Sequence, residues 1–336
     1  MEYLKYVVEN AKGKEKNDGW FTWLHNTYVE LAKMELAMRG EPMEPINYDN
    51  IQVALKWLDD RNDCGDFIVP AFARMLHEHR GTRLDEAWAK KIEKSLLGFK
   101  YWLDEPGEVH ACFFTENHQI LFHSAEYLTG QLFPDKVFDN GQNGEWHRQH
   151  AIEFIRRWQD WRIRFGFSEW LCQGYYVEDI LALLGLAYYV EEEDIRVNSF
   201  LIINQLLFDI AVNSFYGHLP TTHGRVYAPG LVDPSTEGVS HVMHVMWGEG
   251  TRAESSPAAI MLCAYDYQCP ETIAKVGYDR PPVMINKERM SIDVSEGKYY
   301  DADPADFDNI MLYWGIQAYS DRLTVENSAK VFPYYN

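Results

Sequence analysis

Residues Tyr175–Tyr216 read YYVEDILALLGLAYYVEEEDIRVNSFLIINQLLFDIAVNSFY. Val177, Ile180, Leu181, Leu184 and Tyr188 recur at helical spacing, which predicts a helix over Tyr175–Val190. A second helix is predicted over Ile195–Tyr216; it is apolar almost all the way round, the pattern of a helix covered on most sides. The link between them is too short for anything but a tight turn, so the two should lie antiparallel and adjacent.

The same rhythm runs through the first two-thirds of the chain. Trp20, Trp23, Leu24, Tyr28, Leu31 and Met34 form one face of a helix over Asp18–Arg39, and Val53, Ala54 and Trp57 open a shorter one. Phe67–His79 and Leu84–Leu97 form a pair joined by Arg80-Gly81-Thr82. Ala151, Phe154, Ile155, Trp158 and Phe165 mark one face of Gly144–Phe165. Many helical hairpins without an exact repeat, in a chain of 336 residues, predict an all-α fold, an (α/α) toroid forming a single domain over 1–336. A four-helix bundle is too small, and an α-solenoid would show its period.

Composition narrows the function. The formal net charge of −20 argues against nucleic acid, which needs a basic surface to displace counterions. An anionic substrate would need a local cationic or hydrogen-bonding pocket within that field. Five cysteines (Cys64, Cys112, Cys172, Cys263 and Cys269), odd in number and without CxxC spacing, read as buried thiols. The opening MEYLKYVVENAKGKEKND carries charge where a signal peptide would be apolar, which suggests a cytoplasmic chain unless a leader was removed. The most apolar run, Phe200–Val212, is interrupted by Asn204, Gln205 and Asp209; it reads as a core helix, and no membrane span is expected. Aromatic residues make up 15%, including 11 Trp, and suit both helix seams and platforms for sugar rings.

Residues 217–296 change character, with Gly, Pro, Ser and Thr throughout, and predict a loop-rich insertion lining a cavity. Asp303-Pro304 then supplies an N-cap and a first-turn proline for an amphipathic helix presenting Phe307, Ile310, Met311 and Trp314.

Three segments hold candidate chemistry. In CFFTENHQILFHSAEYLTG (112–130), Asn117 and His118 sit in the first turn of a helix, where free amides favour an anionic ligand. Glu116, Gln119, His123, Glu126 and Gly130 share one stripe of that helix. The alternative is structural: Asn117 caps its own helix and His118 bonds a nearby carbonyl. In SEWLCQGYYVED (168–179), Gly174 precedes Tyr175 and Tyr176 at a helix mouth, flanked by Glu169, Glu178 and Asp179. The arginines of Gly144–Phe165 read mainly as a solvated face. In THGRVYAPG (222–230), an extended backbone would turn His223, Arg225 and Tyr227 the same way, either as a carboxylate clamp or as a structural ion pair.

An adjacent Asn-His at a helix start, with a tyrosine 58 positions on at another helix mouth, resembles the (α/α)-toroid polysaccharide lyases of the alginate-lyase and heparinase types. The resemblance implies a six-hairpin glycosidase-like architecture and an acidic oligo- or polysaccharide partner. Many such lyases add a β-sandwich domain and a basic groove, neither of which this sequence shows. By that likeness Asn117, His118 and Tyr175 would be catalytic; the residue types add Arg225 to them, and His123, Glu116, Tyr176, His223, Tyr227 and Glu169 as candidates to bind substrate.

The residue types suit β-elimination from a uronic acid. Asn117, with help from Arg225, can hold the carboxylate and stabilise the enolate-like state. His118 or Tyr175 can take the C5 proton, and Tyr175 can protonate the departing O4. Glu116, Glu169 and Asp179 leave a glycoside hydrolase open, and a non-catalytic toroid that binds a glycan or a protein is a third reading. No cofactor is implied. His241/His244 and His123/Glu126 have metal-ligand spacing, but no third ligand follows from the sequence, so no metal is assigned.

Overall fold

A computed structural model describes residues 1–12, 22–314 and 320–331, with the side chains at 307, 308 and 331 outside that description. The described residues are all-helical and contain no strand. The elements are α1 (Glu2–Ala11), α2 (Thr22–Met38), α3 (Tyr48–Asp59), α4 (Val69–Glu78), α5 (Glu86–Leu97), α6 (Glu116–Leu132), α7 (Gly144–Phe165) and α8 (Tyr176–Tyr189). They continue with α9 (Glu193–Asn213), α10 (Ala228–Val232), α11 (Gly238–Trp247), α12 (Pro257–Ala264), α13 (Glu271–Tyr278), α14 (Phe307–Ile310) and α15 (Arg322–Val331). Asp18 and Trp20, placed by the sequence in the helix that becomes α2, lie outside the described residues, as does the side chain of Phe307.

The α6–α7 hairpin organises the centre. Its antiparallel sense is fixed at both ends. Trp158 Nε1, late in α7, donates to the Glu116 carbonyl at the start of α6 (3.0 Å), while Gly130, late in α6, meets the start of α7. A Cβ on Gly130 would run into the Gly144 carbonyl and stand 2.9 Å from the Arg148 amide nitrogen, so only glycine permits this approach. Asn143 caps α7, its side chain accepting from the Trp146 amide at 2.9 Å. The polar stripe of α6 is therefore the seam with α7 rather than a face toward solvent.

The next hairpin, α8–α9, reverses one expectation. Residues Tyr176–Ala187 of α8 are buried on every side, because α8 packs against α4, α6, α9, α11 and α12. It is α9 that keeps an open stripe: Val197, Leu201 and Phe208 are exposed. By length and composition α9 could cross a membrane, but about half of it (56%) is covered by the rest of the fold. One continuous apolar cluster runs from Tyr3 to Trp314, with a satellite around Trp161, Ile292, Leu312 and Tyr313.

One further expectation is refined and another corrected. The 217–296 segment is loop-rich, with more than half of its residues outside helices, but it also contains α10–α13, and Ala258–Leu262 of α12 are fully buried. The glycines and prolines that suggested loop are the punctuation of short helices, with Pro257 opening α12 and Gly248 closing α11 in the left-handed region (φ +82°). The helix expected from Asp303 shrinks to α14 and a 3-10 turn at Met311–Tyr313. Side chains capture the carbonyls a longer helix would use: Gln119 Nε2 donates to Met311 O (2.9 Å) and Ser168 Oγ to Leu312 O (3.0 Å). The five cysteines are free thiols, but only Cys172 is buried; the other four are half-buried.

Candidate functional site

Two α6 residues, Asn117 and His118, point away from the α7 seam and define the candidate site. Asn117 does not cap its helix. Its Nδ2 donates to Thr115 Oγ1 at 3.1 Å and to Glu169 Oε2 at 2.6 Å. The other oxygen of Glu169 pairs with Arg225 NH1 at 2.8 Å, and Arg225 NH2 donates to the Tyr227 hydroxyl at 2.9 Å. That hydroxyl lies 2.8 Å from the hydroxyl of Tyr175, and the guanidinium carbon of Arg225 sits 4.1 Å from the centroid of the Tyr175 ring. Three sequence segments thus meet in one continuous chain of polar contacts. It runs from a fully buried amide to Tyr227, which is 55% exposed and marks where the network reaches solvent.

The 222–230 segment achieves this without being a strand. Arg225 and Tyr227 meet each other, but His223 turns aside and its Nδ1 lies 2.8 Å from the Leu171 carbonyl. Gly224 packs so closely on Trp170 that a Cβ would fall 2.8 Å from the indole. Its amide donates to the Trp170 carbonyl at 2.8 Å, which fixes the segment against the residue after Glu169.

His118 is turned toward Asp66, with Glu169 close enough to act on it. Its Nδ1 is 2.7 Å from Asp66 Oδ2, where the alternative reading expected a carbonyl, and its ring stacks on Phe67 (5.2 Å). Burial works against a charged imidazole, but the Asp66 carboxylate outweighs it and raises the His118 pKa. Burial likewise raises Asp66, against the pull of His118, so the pair holds a proton to higher pH than either group would alone. Nearby, burial and then Asp66 push Glu178 up to about 8, and burial and then Glu169 hold Asp179 well above the carboxylate range. Both shifts favour the neutral acid at these two buried positions. The Tyr175 phenol is raised by burial and by the Tyr227 hydroxyl, so it remains a proton donor.

The remaining candidates are dispersed. Tyr176 is fully buried and its hydroxyl accepts from the Leu171 amide at 2.8 Å. Glu116 is buried, paired with Arg162, and accepts from the Ser168 amide at 2.6 Å. Burial lowers Arg162 to about 9, so this arginine belongs to the interior rather than to the solvated face expected of it. His123 lies in the α6–α7 seam, against Trp102 and Phe154.

Asp66 was not anticipated as a site residue. The hint in the sequence is Asp63-Cys64-Gly65-Asp66, two acids in a tight turn whose Cys64 is left-handed (φ 61°).

A cavity of about 510 Å³ is lined by Trp170 and Leu171, the residues after Glu169, with Asn213, Thr221, Thr222, Lys287 and Glu288, and itself contains no residue of the network. A larger one, about 560 Å³, lies between α1, α2 and α3 and shares no residue with the network. The arrangement offers an amide donor, a guanidinium, a protonated phenol and an imidazole–carboxylate pair, a set suited to binding an anion and moving protons. Comparison with protein-family models, curated proteins and solved structures found no match for the chain.

Proposed function

We propose that the chain is a carbohydrate-active enzyme, an (α/α)-toroid polysaccharide lyase that cleaves a uronic-acid-containing glycan by β-elimination. The observation that carries this reading is the single connected network Asn117–Glu169–Arg225–Tyr227–Tyr175. It supplies the donors that a uronate carboxylate needs beside a phenol that keeps its proton. The upward shifts of Glu178 and Asp179 support it further, because they lessen the repulsion an anionic sugar would meet in a strongly acidic chain. So does the cavity beside Glu169, where Trp170 stands among amide, hydroxyl and ammonium groups and one carboxylate, Glu288.

In this mechanism Arg225 meets the substrate carboxylate first, being half-exposed. Asn117 is fully covered, its amide held by Glu169, and is reached once the substrate carboxylate displaces Glu169. His118, oriented by Asp66, takes the C5 proton. The C5 electron pair passes through an enolate-like state held by Asn117 and Arg225, then forms the C4–C5 double bond as the C4–O4 bond breaks. Tyr175 gives its proton to O4. Because Asp66 raises the His118 pKa, the neutral imidazole is reached on the alkaline side, and activity is expected to rise with pH.

A second reading has its own support. Asp179, its pKa raised by burial and then by Glu169, supplies with that carboxylate the pairing of acid and base that a glycoside hydrolase uses. One experiment separates the two. On a panel of polyuronates, a lyase yields unsaturated ends absorbing in the ultraviolet, and Asn117→Ala abolishes that signal. Reducing ends without absorbance, lost in Asp179→Asn, would establish hydrolysis instead. Glycan binding without any product would leave a non-catalytic toroid.

A further inference from the structure

On the opposite face of α6 from Asn117, the seam with α7 concentrates imidazoles around one carboxylate. His123 and Glu126 are one helical turn apart on α6, His147 and His150 one turn apart on α7, and the hairpin sets the pairs against each other. Glu126 Oε1 lies 2.8 Å from His147 Nδ1 and 2.8 Å from His150 Nδ1. Glu126 Oε2 lies 3.7 Å from His123 Nδ1, and both atoms are buried without a hydrogen-bond partner. Glu105, from the α5–α6 connection, brings a second carboxylate: Glu105, Glu126 and His147 each offer a ligand atom within 4.8 Å of the others.

We propose that His123, Glu126, His147 and His150, with Glu105, form a binding site for one divalent transition-metal ion of the zinc type. As a plain hydrogen-bond cluster the arrangement is poor. Two imidazoles crowd one oxygen, while the other oxygen and the third imidazole nitrogen remain unsatisfied away from water, which is unfavourable for each group. A cation held by Glu105, Glu126 and His147 relieves the crowding on Glu126, and His123 and His150 complete its shell by turning their rings toward it. The donor set, imidazole nitrogens with one or two carboxylates, suits zinc and its neighbours rather than calcium or magnesium.

The surroundings match what metal-bound histidines require. The far nitrogen of a ligating imidazole is normally held by an acceptor that sets the ring's orientation. His150 Nε2 lies 3.0 Å from Asp104 Oδ2, and His147 Nε2 lies 3.1 Å from Asn140 Oδ1. Glu105 is itself fixed, one oxygen accepting from the Tyr101 and Trp102 amides at 2.9 and 3.0 Å. Aromatic walls close the site: Phe154 stacks on His123 at 4.3 Å, Phe138 on His147 at 4.1 Å and Trp146 on His150 at 4.7 Å. A closed site of this kind is structural, tying α6, α7 and the 98–115 connection together, and it does not depend on the proposed lyase activity.

The test uses the full chain stripped with a chelator, titrated with Zn²⁺ by calorimetry and with Co²⁺ by visible absorption. The expected result is one ion per chain, ligand-field bands from Co²⁺, and a higher melting temperature with Zn²⁺. His150→Ala, at the most accessible edge of the cluster, and His123→Ala are each expected to weaken binding at least about tenfold. His244→Ala, on α11, should leave binding unchanged. Circular dichroism confirms that each variant is folded; should His123→Ala fail to fold, His150→Ala and the wild-type stoichiometry decide. Absence of stoichiometric Zn²⁺ binding, or affinity unchanged in folded His150→Ala, would overturn the proposal.

Discussion

Glu35, in the middle of α2, is the buried charge on which three elements converge, and replacing it with glutamine has a calculable effect. Its side chain is wholly covered. Oε1 accepts from Arg74 Nε at 2.8 Å and lies 3.0 Å from His79 Nε2; Oε2 accepts from Arg39 NH1 at 2.6 Å and Arg74 NH2 at 3.2 Å. The two guanidiniums continue to the Cys263 and Ala264 carbonyls at the end of α12, so the carboxylate ties α2 to α4 and to α12. Burial opposes the charge, but His79 and Arg74 outweigh it and lower the pKa from 4.5 to about 2. That difference corresponds to about 3 kcal/mol, in line with about 3–5 kcal/mol for removing one partner of a buried ion pair.

Glu35→Gln keeps the shape and removes the charge. At about 2.1 cal/mol/K per residue of unfolding entropy, the loss lowers the melting temperature by about 4–5 °C. The folded pKa lies below the unfolded one, so this stabilisation is fully present above about pH 4.5 and disappears as pH falls through about 2. Thermal and urea unfolding by circular dichroism should therefore separate wild type from Glu35→Gln near neutrality, and the two should converge in acid. A difference below about 0.5 kcal/mol at neutral pH, within the scatter of surface substitutions, or a difference that persists at about pH 2, would refute the reasoning.

Two other predictions concern packing and reactivity. Gly130→Ala drives a methyl into the α7 backbone and should destabilise by about 1–3 kcal/mol or more, whereas Gly40→Ala, with open space around it, is limited to the strain of its left-handed backbone; parallel denaturant titrations compare them. Burial raises the Cys172 thiol strongly, so in the native state it should be the slowest of the five cysteines to be alkylated, and equal reactivity by mass spectrometry would contradict its placement.

The sequence carried the long helices well, because a helix with one apolar face writes its period into the chain. Gly144–Phe165 was legible to the residue for that reason. It failed where burial removes the period: α8 looked one-sided yet is enclosed, and α9 looked enclosed yet exposes Val197 and Leu201. It also failed where capping residues outweigh a short core, as in α11 and α12. For the site, Asn117, Arg225, Tyr175 and Tyr227 could be nominated by type, but Glu169 as their link, Asp66 behind His118, and His147 and His150 opposite Glu126 are tertiary facts. No spacing along one segment encodes them.

The central claim, proposed above, is that a uronate carboxylate takes the place of Glu169 between Asn117 and Arg225, with His118 at C5 and the Tyr175 phenol at O4. The most direct measurement is a crystal structure of Tyr175→Phe with a bound oligouronate. The account predicts a sugar carboxylate within hydrogen-bond distance of Arg225 and Asn117, the ring lying toward Trp170, and the missing hydroxyl falling near O4. A sugar seated elsewhere, with the Asn117–Glu169–Arg225 contacts undisturbed, would contradict it.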